Sequence, residues 1–256
     1  MKEGASGDLF LNTVKDYPGK DLIALDALGR QFLVARPRLL ADILVHKCYN
    51  FSKPRRVGSF LRRILGDGLI TVEEDQHKFL RKNTMPAFHV RHIKDLYPMM
   101  WDKASILTRT LTREVGRADG KGGVVELTTW ASKVTLDIIG IAGMGRALNT
   151  VEKASDPLQD TFEELLEPDR EKVLFGMLSF AIGYPIVKLL PWKMNQVFLR
   201  VTSTLDRICK ERITEKRNAI EKGAEDHFDI LSLLIKSNNF DDDALRDQLL
   251  TFLGAG

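Results

Sequence analysis

The chain has 256 residues, enough for one large domain or two ordinary ones, and its 44% hydrophobic content supports a sizeable core. A formal charge of +3 gives no global pull toward nucleic acid. No secretory signal follows Met1, and no apolar run approaches the roughly 20 residues of a membrane span.

The first predicted element is a short helix from Phe10 to Tyr17, stopped by Pro18-Gly19. Leu22–Leu25 and Gln31–Arg36 read as two strands, and Gly29 closes the turn between them, which makes a hairpin. Pro37 suits a helix start, and Leu39, Leu40, Ile43 and Leu44 recur at helical spacing up to about Lys47. Basic residues dominate from Arg30 to Arg63, against Asp42 alone, which reads as a solvated surface or as a patch for anionic groups.

The stretch Leu65–His89, LGDGLITVEEDQHKFLRKNTMPAFH, is the most informative. Gly66-Asp67-Gly68 permits a sharp bend. Glu73, Glu74 and Asp75 place negative charge at a helix N-terminus, and Pro86 ends that helix near Met85. His77 and Arg81 stand four apart, on one face. Two N–H donors side by side suit an anion, and Arg grips a carboxylate with two parallel bonds. Taken alone, such a pair is common on solvated helices.

After Pro86 the chain reads as mostly helical. Val90–Val115 is expected to be one long amphipathic helix, followed by a loop over Gly116–Gly123. Thr128 is the expected N-cap of a helix from Thr129 to Ala142, ended by the glycines around Met144. Further helices are expected over Asp156–Glu167, Trp192–Lys222 and Asp229–Ile235, with an apolar, aromatic interval between Gly176 and Pro191. Asp241, Asp242 and Asp243 open a last helix whose apolar residues spread around the cylinder, as in a buried helix. Cys48 and Cys209 follow no metal or redox spacing, and each sits beside apolar residues of an expected helix, so both are expected to be buried thiols. No catalytic triad, zinc motif or paired-carboxylate site stands out, and no metal ligand set is expected within this chain.

Several of these strings resemble cytochrome P450 monooxygenases. Gly66-Asp67-Gly68-Leu69, His77…Arg81 and Pro86-Ala87-Phe88-His89 look like the helix C region of that family, although Trp is more usual than His at the first position of the pair. Asp137–Gly145 resembles the close of the family's helix E, with Met144 where Phe is usual. Ala255-Gly256 resembles the start of the A-G-x-[DE]-T-T oxygen-activation motif of helix I. The resemblance covers nearly the whole sequence and about the first half of the family's fold. It implies a mainly α fold with a small N-terminal β-sheet (about 20–36) and a helical region (about 37–256), together forming part of a single P450 domain.

On this resemblance His77 and Arg81 bind haem propionates, and Ala255 and Gly256 open the truncated catalytic motif. Arg55–Leu65 is the family's B–C loop, whose Phe60, Leu61, Ile64 and Leu65 line the substrate pocket together with Phe252, and Lys78 and Lys82 face a redox partner. The family's E-x-x-R pair and haem-ligating cysteine loop are absent from the sequence, so the chain is expected to be a fragment cut within a core helix, inactive and poorly folded alone. The implied activity of the whole protein is insertion of one oxygen atom of O2 into an apolar, lipid-like substrate, with NADPH electrons delivered by a separate cytochrome P450 reductase. The implied location is the cytosolic face of the endoplasmic reticulum membrane, although the family's membrane anchor and proline-rich hinge are not in this sequence. The apolar interval 176–191 matches the family's F–G region, which roofs the substrate channel and rests on the membrane. A competing reading is a haem-free helical binding or scaffold protein.

Overall fold

A computed structural model describes residues 7–27, 29–116, 124–152, 156–166, 170–223 and 228–255. The chain divides into two compact units, Met1–Lys53 and Pro54–Gly256.

The first unit holds helix α1 (Asp8–Asp16) and an antiparallel hairpin of strands β1 (Leu22–Ala27) and β2 (Gly29–Val34). The register pairs Leu22 with Val34 and Ile23 with Leu33, which places Ile23 in a buried position. Asp21 ties the open end of the hairpin: its carboxylate takes the Arg36 Nε–H at 2.7 Å, and its carbonyl takes the Ala35 amide at 3.0 Å. Helix α2 (Pro37–Ala41) starts at its proline and widens into a π-helical turn, Asp42–His46. A short 3-10 turn, Cys48–Asn50, then leaves Cys48 exposed, contrary to expectation. The helix stops before the cysteine, so no packed face carries it inward.

The second unit is helical. Its elements are α3 (Arg55–Leu65), α4 (Glu74–Thr84), α5 (Val90–Asp95), α6 (Tyr97–Gly116), α7 (Leu127–Met144), α8 (Pro157–Leu166), α9 (Arg170–Leu178), α10 (Tyr184–Val187), α11 (Lys193–Glu221), α12 (Ile230–Ser237) and α13 (Asp242–Ala255). The spine is α11, which buries Val201, Leu205, Ile208, Cys209 and Ile213 against α13, α12 and α8. Helix α13 is buried around much of its circumference, at Leu245, Leu249, Leu250, Phe252 and Leu253, as its sequence pattern predicts. Each such aliphatic side chain stabilises the fold by about 1.5–3 kcal/mol. A second, aromatic cluster joins Phe175, Tyr184, Val187, Met194 and Phe198, with Phe60, Ile64 and Trp192 packed on it.

Three further expectations change. Arg55–Leu65 is helix α3, not a loop. Val57, Phe60, Leu61 and Ile64 stand at helical spacing, and Pro54 precedes the first turn with extended geometry. Val90–Val115 is two helices, because Pro98 has no amide to donate and Leu96 ends α5. The cap of α7 is Glu126, not Thr128: its carboxylate accepts the amides of Thr128 at 3.1 Å and Thr129 at 2.6 Å. The expected loop over Gly116–Gly123 and the expected helix end at Glu167 lie largely outside the described residues.

The glycine end of α7 is as expected. Gly145 adopts φ +63°, the left-handed conformation that closes a helix. Arg212 of α11 donates to the Met144 and Gly145 carbonyls, both at 2.9 Å. A buried pair lies beside this end: Lys216 Nζ donates to Asp229 Oδ2 at 2.7 Å, and Asp229 also accepts the amide and hydroxyl of Ser232 at the start of α12.

Candidate functional site

Helix α4 carries the predicted anion pair, and its roll is set by Leu80 and Thr84, both buried. Thr84 Oγ donates to the Leu80 carbonyl at 2.8 Å, so its hydroxyl is satisfied inside the core. At 100° per residue His77 and Arg81 flank that buried stripe on one side. His77 is half-buried and Arg81 exposed, so the pair sits where the core meets the surface. Among the described residues no carboxylate pairs with Arg81. Lys78 and Lys82 project from the exposed side, and Lys78 meets Asp75 at 2.8 Å. The Lys78 ammonium holds the Asp75 carboxyl below its ordinary value, first through the hydrogen bond and then through charge.

Both flanks of α4 are attached to α13. Before α4, the turn Gly66–Leu69 lies directly on α13. A Cβ at Gly66 would collide with the Asp247 carboxylate, and one at Gly68 with Thr251 Oγ, so only glycine permits the approach. The Asp67 amide donates to Asp247 Oδ2 at 2.7 Å, and Thr71 Oγ closes the turn onto the Gly66 carbonyl at 2.6 Å. After α4, the 3-10 turn Met85–Phe88 sets Phe88 edge-on to Phe252 of α13, with ring centroids 5.3 Å apart.

The predicted pocket residues fall into two adjoining groups. Phe60 lies 5.1 Å from Phe180 and 5.8 Å from Phe198 in the aromatic cluster, with Ile64 beside it. Leu65 and Phe252 belong to the main core, and Leu61 is half-buried on α3. Helix α3 therefore bridges the two clusters. Two surface concavities, of about 840 and 510 Å3, lie along α6, and none of the predicted pocket residues lines either. Ala255 is exposed at the end of α13, and Gly256 lies outside the described residues.

Part of the basic stretch of the sequence is engaged within the fold. Arg56 donates to the Phe180 and Ala181 carbonyls, Arg62 pairs with Asp67 at 2.6 Å, and Arg63 stacks over Tyr184 at 4.1 Å. Arg30, Arg38, Lys47 and Arg55 are exposed.

The donor set of α4 fits the carboxylate arms of a haem: an always-charged guanidinium and an imidazole on one face, next to buried apolar surface. An axial thiolate is another matter. Cys209 is fully buried, and burial, aided by nearby Asp206, pushes its thiol up to about 12, so it stays protonated. Cys48 belongs to the other compact unit. Among the described residues no cluster of three His, Cys, Asp or Glu side chains is arranged to hold a metal.

Sequence reasoning missed Asp247, the acid that receives the glycine turn. Its only signal is position: Arg246, Asp247 and Gln248 form a polar triplet between Leu245 and Leu249 on a helix that is apolar around much of its circumference.

The cytochrome P450 family model matches residues 26–256. The cytochrome P450 monooxygenase sphH of Aspergillus fumigatus is 34% identical over 99% of this chain and 49% of its own length. Cytochrome P450 monooxygenases of Alternaria alternata (ALT8) and Gibberella moniliformis (FUM15) are each 33% identical over 88% of this chain, and over 42% and 39% of their own lengths. The chain thus spans about half the length of these curated relatives. With the helix C string, the helix E close and the α13 pattern all placed in one helical unit, the chain belongs to the cytochrome P450 family.

Proposed function

We propose that the whole protein is a haem-thiolate monooxygenase, and that this chain supplies the N-terminal part of its single domain. The match of the family model runs across both compact units, which supports the single-domain reading. The observation that carries the functional reading is the His77/Arg81 pair, held at the edge of the core on a helix anchored at both flanks to α13.

In this reading Arg81 and His77 hold the haem propionates by charge-assisted hydrogen bonds. When bound, haem supplies the oxygen-activating chemistry by which one atom of O2 enters the substrate, and its thiolate ligand comes from outside this chain. Ala255 leaves the end of α13 bare of bulk where a reactant must approach, and Gly256 is the next residue of the same motif. Phe60, Leu61, Ile64, Leu65 and Phe252 give the site an apolar wall, which suits a lipid-like substrate and excludes water. Lys78 and Lys82 offer positive charge to an NADPH-fed reductase.

The family reading places the protein at the cytosolic face of the endoplasmic reticulum membrane. Among the described residues no helix is long and apolar enough to cross a membrane. The exposed apolar side chains of Leu174, Met177, Ile186 and Leu189 on and after α9–α10 support contact with a membrane surface instead. The test is the whole protein's reduced, CO-bound spectrum together with turnover of a long-chain apolar substrate in the presence of reductase and NADPH. A thiolate-type spectrum with oxygenated product is expected. Protein that folds without binding haem would leave the scaffold reading in its place.

A further inference from the structure

Asp247 sits mid-helix in α13 at 5% exposure, where an aliphatic residue would be the cheaper occupant beside Leu245, Leu249 and Leu250. Its carboxylate makes two kinds of contact. Oδ2 accepts the Asp67 amide at 2.7 Å, and Oδ1 meets the Arg246 guanidinium at 2.6 Å. Arg246 in turn reaches Asp206 at 2.9 Å and Asp243 at 3.2 Å, which spreads the charge along the surface of α11 and α13. The glycines at 66 and 68 are required by this contact, because a side chain at either would displace the turn from α13. From Asp67 the chain runs through Thr71 and Val72, both buried, straight into α4. The turn has no slack: the amides of Thr71 and Val72 both donate to the Gly68 carbonyl, at 2.9 and 3.1 Å.

We propose that Asp247 is a positioning residue: by holding the Asp67 amide it fixes the 66–72 turn on α13 and so sets where α4 presents His77 and Arg81. The inference rests on the propionate role proposed for that pair. Phe88 against Phe252 supplies the second attachment, and with both in place α4 is held from either flank against the helix that ends in Gly254-Ala255. A buried acid accepting a backbone amide gives directional placement that packing alone does not.

The test has one readout without haem and one with it. In the whole protein stripped of haem, amide hydrogen exchange at Asp67 is followed in the native form, D247A and D247N, with the α12 amides as the core reference. Asp67 should be protected in the native chain and exchange at least about tenfold faster in D247A, with α12 unchanged. D247N keeps an acceptor oxygen of the same shape and should restore most of the protection. In the haem-loaded whole protein, D247A should lose haem faster than the native protein and D247N at close to the native rate. If D247A does not fold, G66A reaches the same contact from the turn side and should give the same two results.

Equal Asp67 exchange in the native chain and D247A would overturn the proposal. So would native haem retention in D247A while R81A loses haem quickly, a result that leaves the propionate role standing. If R81A and H77A both retain haem as the native protein does, the propionate role fails and this proposal fails with it, whatever Asp67 exchange shows.

Discussion

Glu74 opens α4 with φ +52°, in the left-handed region that a residue with a Cβ occupies at a cost. Glycine adopts that conformation freely. Glu74→Gly should therefore stabilise the folded chain by up to about 1 kcal/mol, read as a shift in the urea midpoint at unchanged slope. A destabilised variant would mean that the Glu74 charge at the helix start outweighs the backbone relief. The two cysteines give a second prediction at this scale. Exposed Cys48 should react with a thiol reagent in the native state, and buried Cys209 only after unfolding. The Cys209 thiol is raised from 9.0 to about 12 in the fold, so its contribution to stability is fully present below 9.0 and is lost as pH rises toward 12. Cys209→Ala should flatten that alkaline loss. Two native-state thiols of equal reactivity would contradict the buried assignment. The sequence alone placed both cysteines inside, because apolar neighbours look the same whether a helix continues or stops, and at Cys48 it stops.

At the scale of elements, the joint of α7, α11 and α12 depends on Lys216 and Asp229, whose side chains are 5% and 0% exposed. Removing one partner of such a pair leaves a buried charge without compensation, at a cost of about 3–5 kcal/mol. Lys216→Met should lower unfolding stability by about 3 kcal/mol, at the low end because Ser232 continues to satisfy Asp229. A variant as stable as the native chain would show the charge to be relieved by another route. Neither partner stood out in the sequence, where Lys216 belongs to a charged run that reads as a solvated face. Helix α3 was legible and still missed. Val57, Phe60, Leu61 and Ile64 spell a helix, although the family resemblance implies a loop there. The break at Pro98 and the Glu126 cap were readable for local reasons, one a missing amide and the other a carboxylate two residues ahead of an orphaned donor. The buried character of α13 and the glycine end of α7 were read correctly, because both rest on local spacing and backbone conformation.

For the molecule as a whole, the mainly α architecture with one small hairpin was visible in periodicity and turn residues. The face of α4 was visible as a spacing of four. What no spacing reveals is the distant partner: that Asp247 receives a turn 180 residues earlier in the chain, or that Phe252 meets Phe88, follows only from tertiary packing. Those two contacts turn an ordinary helical His/Arg pair into a held constellation, and the functional account depends on it.

The measurement that tests this account most directly is the rate at which the whole protein gives up haem to an excess of a haem-accepting protein, compared for the native form, H77A and R81A. A charge-assisted hydrogen bond contributes about 1.5–3 kcal/mol, so R81A should release haem roughly 10- to 100-fold faster, and H77A faster by a smaller factor. Release at the native rate from both variants, with folding intact, would contradict the assignment of α4 as the helix that holds the haem.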